Sequence, residues 1–98
     1  MYRFIIHPDA QQEYEQSIEW YWFRSPQATE NFITTIASTI DNICSNPQRF
    51  QNTFNNYYEL GVKKFPFSII YTIDDINKLV EITSIFHHSR NPKKKYKK

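Results

Sequence analysis

At 98 residues, with 40% apolar and 17% aromatic side chains, the chain can build one small hydrophobic core and is too short for two. Its single glycine excludes the glycine-rich loops that let backbone approach phosphate, and with them the P-loop and dinucleotide-binding classes. The net charge of +2 is lopsided: six of the twelve Lys and Arg and none of the ten acids lie in residues 90–98, so residues 1–89 carry −4 and the last nine +6.

That asymmetry points to a polyanionic partner such as nucleic acid, the ribosome or an acidic segment, or else to a solubilising lysine tail. The lone Cys44 has no internal disulfide partner, the opening MYRFIIHPDA lacks the form of a signal peptide, and no apolar run reaches the roughly 20 residues that span a bilayer. The expectation is a soluble cytoplasmic protein with no membrane association.

In chain order, YRFII reads as a strand stopped by His7-Pro8-Asp9. Pro8 suits the first turn of a helix and Asp9 adds negative charge at its positive end. Ala10, Tyr14, Ile18, Tyr21 and Trp22 recur at helical spacing, with Glu15 and Glu19 outside. Ser25-Pro26 breaks the chain and restarts it as N-cap and first helical residue. Phe32, Ile33, Ile36, Ile40 and Ile43 form the stripe of this second helix. Asn46-Pro47 ends it, because a residue before proline is pushed out of the α region. Residues 46–56 show no period and read as loop, with Phe50 and Phe54 as candidate anchors to the core.

YYELGVKKF, FSIIYTI and LVEITSIF then alternate as three strands of an antiparallel meander. In the middle one Phe67, Ile69, Tyr71 and Ile73 share a face, and Ser68, Ile70 and Thr72 the other. The fold class is therefore α+β: an N-terminal strand, a two-helix hairpin and a three-stranded meander in a single domain over 1–98, with a basic tail at about 90–98. The helices should cover one sheet face and leave the other partly open.

The chemistry-bearing residues cluster late. His87 and His88 follow the last strand, where neighbouring side chains point to opposite faces, a poor arrangement for chelating one ion. His7 and Cys44 supply no recognisable ligand spacing, so neither a metal nor any other cofactor is expected. Ser89, beside His88, has no sequence signal for activation. RNA cleavage at its own 2′-OH needs an acid, a base and positive charge near the phosphorane. Glu59, Lys63, Lys64, His87, His88, Arg90 and Tyr96 could supply these roles. Taken one by one, Lys63 and Lys64 also read as edge charges that discourage aggregation.

The order and spacing of HPDAQQEYEQSIEWY, SPQATENFITTI followed by NP, KKFPFSIIYTIDD and IFHHSRNP resemble the RelE/ParE superfamily of toxins from bacterial type II toxin–antitoxin systems, over nearly the whole chain. The resemblance implies a helical hairpin on a mainly antiparallel sheet and a cognate antitoxin whose flexible segment wraps the toxin. Two activities share the scaffold: RelE-like cleavage of mRNA on the ribosome and ParE-like poisoning of DNA gyrase. Where RelE-like nucleases carry basic residues, this sequence has Glu59 and Gly61, and Ser68 stands at the middle-strand arginine position. KKFP and HHSRNP look more like the ParE branch. The favoured expectation is gyrase inhibition without toxin chemistry, with Lys63, Lys64, Arg90, Lys93, Lys94 and Lys95 contacting gyrase or its DNA. In the nuclease alternative His87 or His88 is acid or base, Arg90 and Lys63 hold phosphate, and Glu59 and Tyr96 complete the set. A non-toxic nucleic-acid-binding module is a third class.

Overall fold

The strand β1 (Arg3–Ile6) leads directly into α1 (Pro8–Trp22) and then α2 (Pro26–Ser45), in a computed structural model that describes residues 1–96. His7 caps α1, its ring Nδ1 accepting the Asp9 N–H at 3.2 Å. Ser25 caps α2 by accepting the Ala28 N–H at 3.1 Å. Each cap satisfies a donor that a helix start leaves without an intrahelical partner.

The apolar stripes bury as expected with two exceptions. Phe32, Ile36, Ile40 and Ile43 are buried, whereas Ile33 and Trp22 lie off the packed arc at 40% and 59% exposure. Phe32 is the hub, its ring centroid 5.0 Å from both Tyr21 and Phe67 and 5.3 Å from Phe65. Aromatic pairs at such separations add attraction beyond the area they bury.

Residues 46–56 are not the loop that their composition suggests. Pro47–Arg49 form a 3₁₀ turn and Gln51–Phe54 form β2, which pairs antiparallel with β3 (Tyr57–Gly61). The Tyr71 hydroxyl donates to the Pro47 carbonyl at 2.7 Å, and Pro47 is buried. The segment is thereby fixed at one end and delivered to the sheet edge, where Phe50 packs on the core. β3 also ends earlier than the alternation implies, at Gly61, and Lys63-Lys64 form an exposed turn with Lys64 at φ 68°.

β4 (Phe67–Asp74) and β5 (Leu79–His87) complete a five-stranded sheet in the order β1-β5-β4-β3-β2. β1 is parallel to β5 and the other pairs are antiparallel. The α+β class stands, with four antiparallel strands in place of three. The register skips Thr83 opposite Ile70/Tyr71, a bulge that lets Ile82 and Ile85, three residues apart, both join the helix-side core.

The opposite sheet face is more covered than expected. Ser68, Ile70 and Phe86 are buried there, and the chain after β5 returns over Phe86, with the Arg90 guanidinium 5.7 Å and the Lys95 ammonium 5.4 Å from its ring centroid. Among the described residues no helix is long and apolar enough to cross a membrane.

Candidate functional site

β1 pairs with β5 only from Leu79 to Ile82, so the outer edge of β5 from Thr83 onward meets α1 instead of a strand. Glu13 of α1 fills that position. Its Oε1 accepts the Ile85 N–H and the Ser84 hydroxyl, each at 3.0 Å. Its Oε2 accepts from the Arg90 guanidinium. One carboxylate thus ties a helix, a strand edge and the segment after the strand, and it does so with its side chain only 19% exposed. Charge-assisted bonds to a partly desolvated group are the stronger kind.

The segment from His88 to Tyr96 behaves as a strap rather than a free basic extension. The His88 N–H donates to the Pro66 carbonyl at 2.9 Å, and its Nε2 lies 2.9 Å from the Ser68 hydroxyl. Asn91 accepts the Lys93 N–H and starts a 3₁₀ turn over Pro92–Lys94. Lys95 then pairs with Glu59 at 3.1 Å. The Tyr96 hydroxyl donates to Thr53 Oγ1 at 2.8 Å, and its ring lies 5.1 Å from those of both Phe54 and Tyr57. Lys97 and Lys98, which belong to the expected tail, lie outside the described residues.

Between α1 and the end of β5 runs a groove of about 860 Å³. Asp9, Glu13 and Trp20 lie along its helix wall, and Arg90, Lys94 and Lys95 on the strap side. His87 opens into it, its ring edge-on to Phe67 at 4.8 Å. Its Nδ1 accepts the Ser89 N–H at 3.0 Å and lies 2.7 Å from the Ser89 hydroxyl. The backbone N–H can only donate, so neutral His87 carries its proton on Nε2.

The expected site residues fall into two sets. His87 faces the helix side of the sheet with Phe67. Glu59, His88, Lys95 and Tyr96 lie on the strap side with Ser68 and Phe86. Arg90 bridges the two at the β5 edge. Lys63 and Lys64 sit in the β3–β4 turn, close to His88 through Pro66, and Lys93 and Lys94 are exposed on the strap. Among the described residues these four lysines make no ion pair. No three His, Cys, Asp or Glu side chains are grouped there to hold a metal ion. Burial, then Asp41, pushes the Cys44 thiol up from its ordinary value, which keeps it protonated and unreactive.

Glu13 and Thr53 are the contributors that pattern reading misses. Neither has a local sequence signal, because the partners that make them matter lie 71, 72 and 77 residues from Glu13 and 43 from Thr53.

The helical hairpin laid on a mixed five-stranded sheet is a fold shared with solved toxins of toxin–antitoxin systems. The structure superposes on the chromosomal ParDE system of P. aeruginosa with a TM-score of 0.75 at 13% identity, covering 89% of this chain and 96% of that one. It also matches the isolated E. coli RelE toxin, TM-score 0.65 at 12% identity over 94% and 89%, and the Mycobacterium tuberculosis RelBE2 toxin–antitoxin complex, 0.59 at 13% over 88% and 96%. At such identities the likeness is one of fold. The sequence model for the ParE toxin of the type II toxin–antitoxin system parDE matches residues 4–92, so the chain belongs to the ParE toxin family. No curated protein matches the sequence.

Proposed function

We propose that this type II toxin arrests growth by poisoning DNA gyrase, without chemistry of its own, and that a cognate antitoxin neutralises it. The observation that carries the reading is the distribution of the candidate catalytic groups. His87 lies on the opposite sheet face from Glu59 and Tyr96, the Glu59 charge is met by Lys95, and that of Arg90 by Glu13. General acid–base cleavage needs its proton donor, acceptor and phosphate-binding cation within reach of one scissile group. A surface that grips does not. Lys63 and Lys64, exposed in the β3–β4 turn, and Lys93 and Lys94, exposed on the strap, suit contact with gyrase-bound DNA or an acidic antitoxin segment. Membership of the ParE family supports the same target.

Ribosome-dependent mRNA cleavage is the second reading, favoured by one observation: Glu59, His88 and Tyr96 share the strap side. Controlled expression without antitoxin separates the two when DNA and protein synthesis are followed independently. Gyrase poisoning predicts early replication arrest and gyrase-linked DNA breaks, retained when His87 and His88 are replaced. Early translation arrest with codon-phased mRNA cuts, lost in those variants, would establish the nuclease. Absence of any arrest from folded protein would favour a non-toxic binding module.

A further inference from the structure

The two edges of the sheet are treated differently. β2 is blunted: its register shifts between Asn52 and Phe54, the Asn52 amide is turned onto the Asn55 and Tyr57 carbonyls at 2.9 and 3.0 Å, and Tyr96 lies against Phe54. β1 is equally short and begins with the charged Arg3, but it has no bulge or proline, and Phe4 and Ile5, on its two faces, are 45% and 49% exposed. Natural sheets seldom leave an apolar edge open unless something pairs with it.

We propose that this edge is the interface with a second copy of the chain, joined by antiparallel β1–β1 pairing into one continuous sheet. The hydrogen-bond directions select the register. The Arg3 and His7 N–H groups reach Lys78 and Ile82 of β5 at 3.0 and 2.8 Å, so odd residues of β1 face inward and Phe4 and Ile6 present their N–H and C=O outward. The outward Tyr2 N–H is spent on the Cys44 carbonyl at 2.9 Å, which closes that end. A two-fold axis through Ile5 uses the free groups alone: Phe4 and Ile6 of opposite copies exchange hydrogen bonds, and the two Ile5 side chains meet at the axis.

The register is self-complementary, as an isologous contact must be. Apolar residues face apolar residues across it, and each Arg3 falls opposite His7 of the other copy, beside the turn that carries Asp9. No two charged side chains of like sign are directly opposed in it. An asymmetric partner strand would need to supply this order of side chains for itself. A second copy already has it.

Sedimentation equilibrium of the isolated chain at tens to hundreds of micromolar should give twice the 11.9 kDa protomer mass. Ile5→Lys, which sets two ammonium groups together at the axis, should weaken the dimer by at least about tenfold. Phe4→Pro should do the same, because it removes an outward N–H and leaves the β1–β5 ladder alone. Gln51→Lys on the other edge should leave the dimer intact, and circular dichroism should report the same fold for all three. A monomer at every concentration, or a dimer indifferent to both β1 variants, overturns the proposal. So does a monomer whose antitoxin affinity falls in Ile5→Lys, since the edge then holds a partner's strand.

Discussion

Glu13 does at the scale of one residue what a sixth strand segment would otherwise do: it satisfies the edge of β5 where β1 has turned into a helix. The three donors on its carboxylate, Ser84, Ile85 and Arg90, make its removal costly. Glu13→Ala leaves a strand N–H and a guanidinium without their acceptor, and the expected loss is about 2–3 kcal/mol. Urea denaturation measures it. Glu15→Ala, where the exposed carboxylate only accepts from Gln11 at 2.9 Å, should stay within about 0.5 kcal/mol. Equal effects at the two positions would show that the Glu13 contacts carry no special weight. Arg90 stands out in the sequence by its place after the last strand, but its partner lies 77 residues away in sequence, and no local pattern announces such a pair.

At the scale of elements, the error was β2, and Tyr71 explains it. The polar run QNTF has little strand character of its own, and the sheet recruits it because the Tyr71 hydroxyl fixes Pro47 just upstream. The ring is fully buried and stacked on Tyr58 at 5.6 Å. Burial, reinforced by Tyr58, raises its hydroxyl well above the ordinary tyrosine value. Tyr71→Phe keeps the ring and leaves the Pro47 carbonyl without its donor, for an expected loss of about 1–3 kcal/mol. The sign with pH follows from the raised value: the stabilisation is complete below the unfolded tyrosine value of about 10 and fades as pH rises past it. Melting curves from neutral to alkaline pH should therefore fall less steeply for Tyr71→Phe than for the parent. Parallel curves would place the alkaline loss elsewhere. The helices, by contrast, were legible to within a residue, since His7-Pro8-Asp9 and Ser25-Pro26 mark their starts by local chemistry.

At the scale of the molecule, folding redistributes the charge that the sequence sets at its end. Arg90 and Lys95 neutralise Glu13 and Glu59, while Lys93 and Lys94 stay exposed on the strap and Lys63 and Lys64 in the β3–β4 turn. If the toxin grips gyrase-bound DNA, the logarithm of its affinity falls with the logarithm of salt concentration, by about 0.9 for each phosphate neutralised. Lys93→Gln with Lys94→Gln should reduce that slope by up to about two. Lys95→Gln should act instead by loosening the strap, with little change in slope. A slope unaltered by the double variant would mean that the lysines are merely solvated.

Determined by the sequence alone were the things that depend on near neighbours: helix starts and stops, the faces of β4, one small core, the end at which positive charge gathers, and the family motifs. Only the tertiary structure decided where β2 runs, that β5 is bulged at Thr83, that the strap folds back on Phe86, and which basic residues are already paired. Most of these rest on contacts between residues more than ten positions apart. Hydrophobic burial, edge hydrogen bonding and ion pairing settle such contacts only when the whole chain has closed on itself.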